Sequence, residues 1–279
     1  MKIKIITDST ADLPADLARE LGIQVVPAYL RIGETVYRDR VNFTDDEFYE
    51  KMLDNAIYPV TEPATPDDFA IAYKEAAREA DGIISLHLSS KISATYHAAL
   101  LGQKMAKVDC PIEVIDSESV SMGLGLLSVS AAGVAGSTKS FNAAVGEVKR
   151  MVPGLLMLGF FDSLKYLARG GRISRASAFF GSMLNIKPML TMHNGEVEPA
   201  GHVNRRTTGI QRLYQFVSNT DEIQDVSLVY STVPEEALEI ADHIKTITSI
   251  KRVLLTKMGP ILGAHGGPGA LLVAVRTKT

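Results

Sequence analysis

What most constrains this sequence is an order of elements that recurs through its first half. A short apolar run ends in hydroxyl or acidic residues and passes straight into a helical pattern. Ile3 to Ile6 ends in Thr7-Asp8-Ser9-Thr10 and leads to a helix with Pro14 in its first turn and Gly22 past its end. Ile83 to Leu88 ends in Ser89-Ser90 before a helix that begins near Ser93, and Glu113 to Ile115 ends in Asp116-Ser117 before another. Strands separated by helices of this length pair in parallel, because the chain must cross over between them. Gln24 to Leu30 reads as one more strand, followed by a Gly33-Glu34 turn, and Leu155 to Phe160 as a further one after Pro153-Gly154. Thr44-Asp45-Asp46-Glu47 is a capping box, and Thr65-Pro66-Asp67-Asp68 opens a helix with Pro at its first position. The acidic pairs in both motifs read as partners of the helix dipole, not as metal ligands.

From about Asp162 the pattern changes. A short helix ends at Gly170-Gly171, and a second spans Ala176 to Leu184. A hairpin then runs from Ile186 to Met192 and from Val197 to Val203 about an Asn194-Gly195 turn. Helices follow over Thr207 to Val217 and Pro234 to Ile247, with strands at Val226 to Tyr230, Val253 to Thr256 and Leu271 to Val275. The expectation is an α/β protein of two domains. Residues 1–161 form a mostly parallel sheet flanked by helices, and residues 162–279 an α+β domain with a mixed or antiparallel sheet.

Composition removes several classes of function. With 29 basic and 32 acidic residues in 279, no strong field draws the chain to nucleic acid or anionic lipid. The single cysteine, Cys110, can supply neither an internal disulfide nor a Cys-rich metal site. The opening Met-Lys-Ile-Lys-Ile-Ile-Thr-Asp is too short and too soon polar for a signal peptide, so a cytoplasmic protein is expected. The stretch between Glu118 and Lys139 carries no charge and is long enough to cross a bilayer. It is made mostly of Ser, Gly, Ala and Thr, however, and gains little from hydrocarbon, so it reads as a helix packed inside the protein without stable membrane insertion.

Ligands of open parallel sheets bind outside the carboxyl ends of the strands. Here those ends gather Thr7 to Thr10, Ser89, Ser90 and Ser93, and Asp116, Ser117 and Ser119. Ser93 and Thr95 stand at a helix start, where free N–H groups favour an anion, so the cluster suggests a site for a small carboxylate or phosphate. Taken singly, each of these residues is better explained by helix capping, and only the clustering points to a site. No phosphate-binding P-loop and no serine-nucleophile elbow occurs, and Gly123-Leu124-Gly125 lacks the third glycine of a dinucleotide site. None of the 6 histidines has the spacing of a helical metal pair. His265 stands apart in the glycine-rich segment Gly263 to Gly269, where small residues let a ligand approach the backbone. Gly170-Gly171-Arg172-Ile173-Ser174 reads either as a helix stop, turn and cap or as a fixed loop presenting Arg172 to an anion.

Together these segments resemble the DegV family of bacterial fatty-acid-binding proteins over nearly the whole chain. The resemblance rests on Thr7 to Pro14, Ser89 to Tyr96, Val114 to Ser117 with Gly123 and Gly125, Leu164 to Leu167 with Gly170 to Ser174, Ile186-Lys187-Pro188 with Asn194-Gly195, Arg206-Thr207, and the His265 segment. It implies two α/β domains with a long-chain fatty acid, palmitate for example, between them, and no other cofactor or metal. The carboxylate would be held by Thr61 and Ser93 with His265 nearby. It further implies a carrier that is not itself an enzyme, presenting the acid to a separate ATP-dependent fatty acid kinase subunit for conversion to acyl-phosphate, a phospholipid precursor. Arg172 would face that kinase or the transferred phosphoryl group. Two departures stand out: Glu62-Pro63-Ala64-Thr65 replaces the family's usual Ser-Gln-Pro-Ser, and Ala94 replaces a usual Gly. The rival reading is an esterase or acyl transferase with Ser93 as nucleophile, His265 as base and Asp8 or Asp116 behind it. A histidine-based phosphoryl relay is a third.

Overall fold

The computed structural model describes residues 1–53, 59–172 and 186–279. Its first half contains, in order, β1 (Ile3–Asp8), α1 (Ala15–Glu20), β2 (Gln24–Val26), β3 (Tyr29–Ile32), β4 (Thr35–Arg38), α2 (Asp45–Leu53), β5 (Val60–Glu62), α3 (Pro66–Ala76), β6 (Gly82–His87), α4 (Thr95–Ala106), β7 (Ile112–Asp116) and α5 (Met122–Ser137). After α6 (Phe141–Met151) come β8 (Leu155–Phe160), α7 (Lys165–Arg169), β9 (Lys187–His193), β10 (Glu196–Val203), α8 (Arg206–Ser218), β11 (Ile223–Tyr230), α9 (Pro234–Ile247), β12 (Val253–Lys257), α10 (Pro260–Gly266) and β13 (Leu271–Thr277). The helix expected over 176–184 lies outside the described residues, as do Ile173 and Ser174.

The expected parallel sheet is present, with order β2-β1-β6-β7. The chain leaves β1 first toward β2 and later returns on its other side as β6. The carboxyl ends of β1 and β6 are therefore a topological switch point, where helices diverge and leave a crevice. The second sheet has six strands in the order β10-β9-β8-β13-β11-β12, antiparallel except for β11 with β12.

Two sequence expectations are corrected. The strand read over Gln24 to Leu30 is broken at Pro27, which has no N–H to donate, and the following Ala28 N–H is taken by the Ser9 hydroxyl at 3.0 Å. Beyond the break, β3 pairs antiparallel with β4 and β5 in a separate three-stranded sheet, the flap, which was not foreseen. β8, grouped with the first half by sequence, pairs with β9 and β13 in the six-stranded sheet. The turn signals before it mark a strand, but they carry no information on its neighbours.

The uncharged segment becomes α5, the central layer. Met122, Leu124, Leu126, Leu127 and Ala131 are buried in one core with Ile5, Ile84 and Leu86 of the parallel sheet and Met157, Leu272 and Ala274 of the six-stranded sheet. Its first two turns, Met122 to Ser128, are buried on every side and are apolar there but for Ser128, whereas Gly133, Gly136 and Ser137 near its end are exposed. Its Ser128 and Ser130 hydroxyls donate to the carbonyls of Leu124 and Leu126, each at 2.8 Å, so no polar group is stranded. Gly125 is needed for the close fit, since a Cβ there would lie 2.7 Å from the Ala11 carbonyl. α3 and α4 cover the outer face of the parallel sheet, and α8 and α9 that of the six-stranded sheet. The expected capping box forms at Thr44 with Glu47, and the helix start expected at Thr65 closes a second one with Asp68. Among the described residues no helix is long and apolar enough to cross a membrane.

Candidate functional site

At the switch point the strand ends, the first turn of α5, the β9–β10 hairpin and α10 enclose a chamber of about 990 Å³, counting the space at its mouth. Its walls are Leu88, Ile92 and Val120 from the parallel-sheet side, Met157, Phe161 and Leu272 from the other sheet, Leu190, Met192 and Val197 from the hairpin, and Met258, Ile261 and Leu262 from the start of α10.

Six hydroxyls also line this chamber, and their partners sort them. Thr10 donates to the Asp8 carboxylate, Ser121 donates to Asp12 Oδ2 at 2.6 Å, and Thr191 donates to the Met157 carbonyl at 2.7 Å. Those three O–H groups are committed away from the cavity, so their walls are apolar in effect. Ser93 and Thr95 share one hydrogen bond at 2.9 Å, which leaves one O–H of the pair for a ligand. Thr61 Oγ1 lies 2.9 Å from His265 Nε2. The chamber's uncharged polar side chains not committed to a wall partner are therefore two pairs, Thr61 with His265 and Ser93 with Thr95.

Burial, reinforced by the nearby Arg172 charge, pushes the His265 pKa down to about 4, so the imidazole is neutral at neutral pH. A neutral ring carries one N–H, and His265 Nδ1 has no hydrogen-bond partner. It faces Gly170 so closely that a Cβ on Gly170 would lie 2.1 Å from it. Leaving an acceptor unpaired costs less than burying a donor, so the proton sits on Nε2 and is donated to Thr61 Oγ1. The Thr61 hydroxyl proton is then left free to donate elsewhere. His265 was expected on a loop; it lies in the last turn of α10, with the glycine-rich turn after it.

Arg172 is exposed, and its guanidinium donates to the Gly170 carbonyl at 2.6 Å. It lines both the chamber and a second cavity of about 830 Å³, counting the space at its mouth, which is also lined by Thr61, His265, Lys165 and Arg169. The Thr61–His265 pair thus lines both spaces and forms a partition where the mostly apolar chamber meets a second cavity, the vestibule, whose lining carries three cations. Sequence reasoning missed Lys165 and Arg169; three cations within residues 165–172 were the available signal.

The other strand-end residues have structural partners. Asp8 accepts from His87 Nδ1 at 2.9 Å, His87 Nε2 accepts from Ser85 at 2.7 Å, and Ser85 accepts from Tyr73 at 2.9 Å, all buried beneath the site. Asp116 accepts from the Ser90 and Glu118 backbone amides, and Ser89 donates to the Gly195 carbonyl of the hairpin turn at 2.6 Å. The Ser93–His265–Asp arrangement of the hydrolase reading is not assembled: His265 Nε2 is engaged by Thr61, Nδ1 has no acid behind it, and Asp8 serves His87. Among the described residues no three His, Cys, Asp or Glu side chains converge as a metal site.

A family model described as "Uncharacterised protein, DegV family" matches residues 2–278. The chain belongs to the DegV family. A DegV domain-containing protein of Caldanaerobacter subterraneus is 34% identical over 99% of both chains, and the DegV protein of Bacillus subtilis is 28% identical over 97% of this chain and 98% of its own. Among solved structures, a fatty-acid-binding DegV family protein from Thermus thermophilus superposes with a TM-score of 0.89 at 31% identity, covering 100% of both chains. The fatty-acid-binding DegV of Bacillus subtilis gives 0.88 at 28% identity, again over 100% of each. The two solved structures share the fold seen here and are described as fatty-acid-binding proteins.

Proposed function

We propose that this protein binds a long-chain fatty acid in the apolar chamber, with its carboxylate at Thr61, Ser93 and His265, and works as a carrier with no catalysis of its own. The observation that carries this reading is the sorting of the hydroxyls: three of the six are committed to wall partners, and the few donors left free in a mostly apolar chamber suit a ligand with one anionic end and a long tail. Each buried CH₂ contributes about 0.8 kcal/mol, so about a dozen give roughly 10 kcal/mol before binding costs. Net hydrogen bonds to a charged group add about 1.5–3 kcal/mol each. The tail sets affinity and the head group sets orientation. The solved structures of fatty-acid-binding DegV proteins support the same choice of ligand.

In this reading the carboxylate lies at the partition, reachable from the vestibule. A separate ATP-dependent kinase approaches there, a carboxylate oxygen attacks the terminal phosphorus, and ADP leaves as the acyl-phosphate forms. Arg172, with Lys165 and Arg169, would face the incoming phosphoryl group. Residues 1–161 and 162–279 would form the two lobes about the ligand, with β8 crossing to the second sheet. The first test is to denature the purified protein, extract it with solvent and identify lipids by mass spectrometry. Fatty acid near one per chain is expected; an empty protein that also fails to bind added fatty acid would overturn the proposal. Arg172→Ala should retain the lipid and lose most acyl-phosphate formation with a competent kinase. Unchanged formation would remove Arg172 from the account.

A further inference from the structure

Thr61 and His265, the two sides of the partition, belong to elements far apart in the chain. Thr61 is on β5 of the flap, opposite Leu30 of β3, and His265 is on α10. Their 2.9 Å contact requires the flap and α10 to be held in fixed relation. The link is a half-buried ionic junction centred on the buried Asp12.

Arg40 follows β4 with φ of 57°, a left-handed conformation that turns its side chain across to α10. Its guanidinium grips Asp45 with two hydrogen bonds of 3.0 and 3.1 Å, donates to the Lys257 carbonyl at 2.8 Å, and lies 3.5 Å from Asp12 Oδ1. Asp12 is also left-handed and is buried. Its Oδ1 accepts from the Gly259 N–H at 2.8 Å and its Oδ2 from Ser121 at 2.6 Å. Gly259 is the residue immediately before α10, and a Cβ there would lie 3.0 Å from the Arg40 guanidinium carbon. Tyr49 of α2 adds a hydrogen bond to the Met258 carbonyl at 3.1 Å. One guanidinium thus reaches from the flap to the start of the helix that carries His265, and one carboxylate fixes that start against α5.

We propose that Arg40, acting through Asp12 and Gly259, is a positioning residue for the Thr61–His265 pair. It touches no ligand; it sets the gap across which the head-group donor is oriented. Hydrogen bonds weaken steeply beyond about 3.2 Å, so a displacement of about 1 Å at the junction is enough to unfasten the pair. Lysine at this position keeps the charge but cannot make the planar two-pronged contact while also reaching Lys257.

The test compares Arg40→Met and Arg40→Lys with the natural protein on two probes, a saturated sixteen-carbon fatty acid and the primary alcohol of the same length. This arm rests on the fatty-acid reading. The natural protein should prefer the acid by about tenfold or more, in line with one charge-assisted hydrogen bond. Arg40→Met should bring the acid down to the affinity of the alcohol while the alcohol changes by less than about threefold, and Arg40→Lys should fall between. Combining Arg40→Met with Thr61→Val should cost no more acid affinity than either change alone. Equal losses for acid and alcohol, or an intact acid preference, would overturn the proposal. A natural protein that binds neither probe rejects the fatty-acid reading alone. The positioning claim is then decided by NMR titration of His265 in the empty protein. Its pKa should climb in Arg40→Met from about 4 toward the ordinary 6.5 as the partition opens, and an unmoved titration would overturn the claim. Should Arg40→Met fail to fold, Gly259→Ala, which crowds the guanidinium, is judged by the same measurements.

Discussion

Replacing Asp39 by Asn isolates one buried ionisation. Asp39 is 2% exposed, and burial pushes its pKa up from 3.8 to about 7 against the opposing pull of the Ser9 hydroxyl and the Arg40 charge. At about 1.4 kcal/mol per pH unit, ionising it costs the folded protein roughly 4 kcal/mol relative to the unfolded chain. Because the folded pKa is the higher one, the folded protein holds a proton that the unfolded chain has released. The stability contribution is complete below about pH 3.8 and is lost as pH rises through about 7. Asp12, raised to about 6, acts in the same direction. His265, lowered to about 4, acts in the opposite one: its contribution is present above about pH 6.5 and is lost as pH falls to about 4. A pH profile of the natural protein alone mixes these, whereas the difference between it and Asp39→Asn cancels what they share. Denaturant unfolding at about pH 5, 6, 7 and 8 should show the Asn variant gaining on the natural protein by about 1.4 kcal/mol per unit up to pH 7, reaching about 3 kcal/mol over the range. The same difference at pH 5 and pH 8, or one that shrinks as pH rises, would refute the reasoning.

Gly170→Ala places a methyl group 2.1 Å from His265 Nδ1 and should displace the ring, lowering unfolding stability by about 1–3 kcal/mol and weakening head-group binding; chemical denaturation and a binding titration check both. Ser121→Ala removes the hydrogen bond to a buried carboxylate and should cost about 1–3 kcal/mol of stability. Since the Ser121 hydroxyl is committed to Asp12, binding of the tail should persist, which a parallel titration would show.

Much of this structure is legible in residue order. The parallel strands announce themselves because apolar runs buried on both faces must end where the chain meets solvent, and α9 coincides with the expected Pro234 to Ile247 because proline starts it and an apolar stripe defines it. The Asn194-Gly195 hairpin forms with both residues left-handed, at φ of 47° and 76°. The flap was hidden because its strands have only three or four residues, and β3 meets β5 about thirty residues later, a pairing that no local pattern records. Ser93, His265 and Arg172 drew notice by residue type and setting, while Thr61 came through family resemblance alone. The structure brings all four to one chamber. Which strand-end hydroxyls serve a cavity and which serve a neighbour could not be read in advance, because Thr10 and Ser121 differ from Ser93 only in what stands opposite them. The Arg40–Asp12 junction left no trace, being an ion pair between two turns.

The placement of α5 bears on how this molecule comes apart. The first half of α5 has no face to offer to water, and both sheets use the helix as their inner wall. Neither half therefore owns a complete interior. Cutting the chain between the lobes would strand α5 with one half and expose apolar surface on both, so the fragments should aggregate where independently folding domains would survive. For the same reason heat or denaturant should melt the two sheets in one cooperative step, and the cavity between them should vanish with that step instead of opening ahead of it.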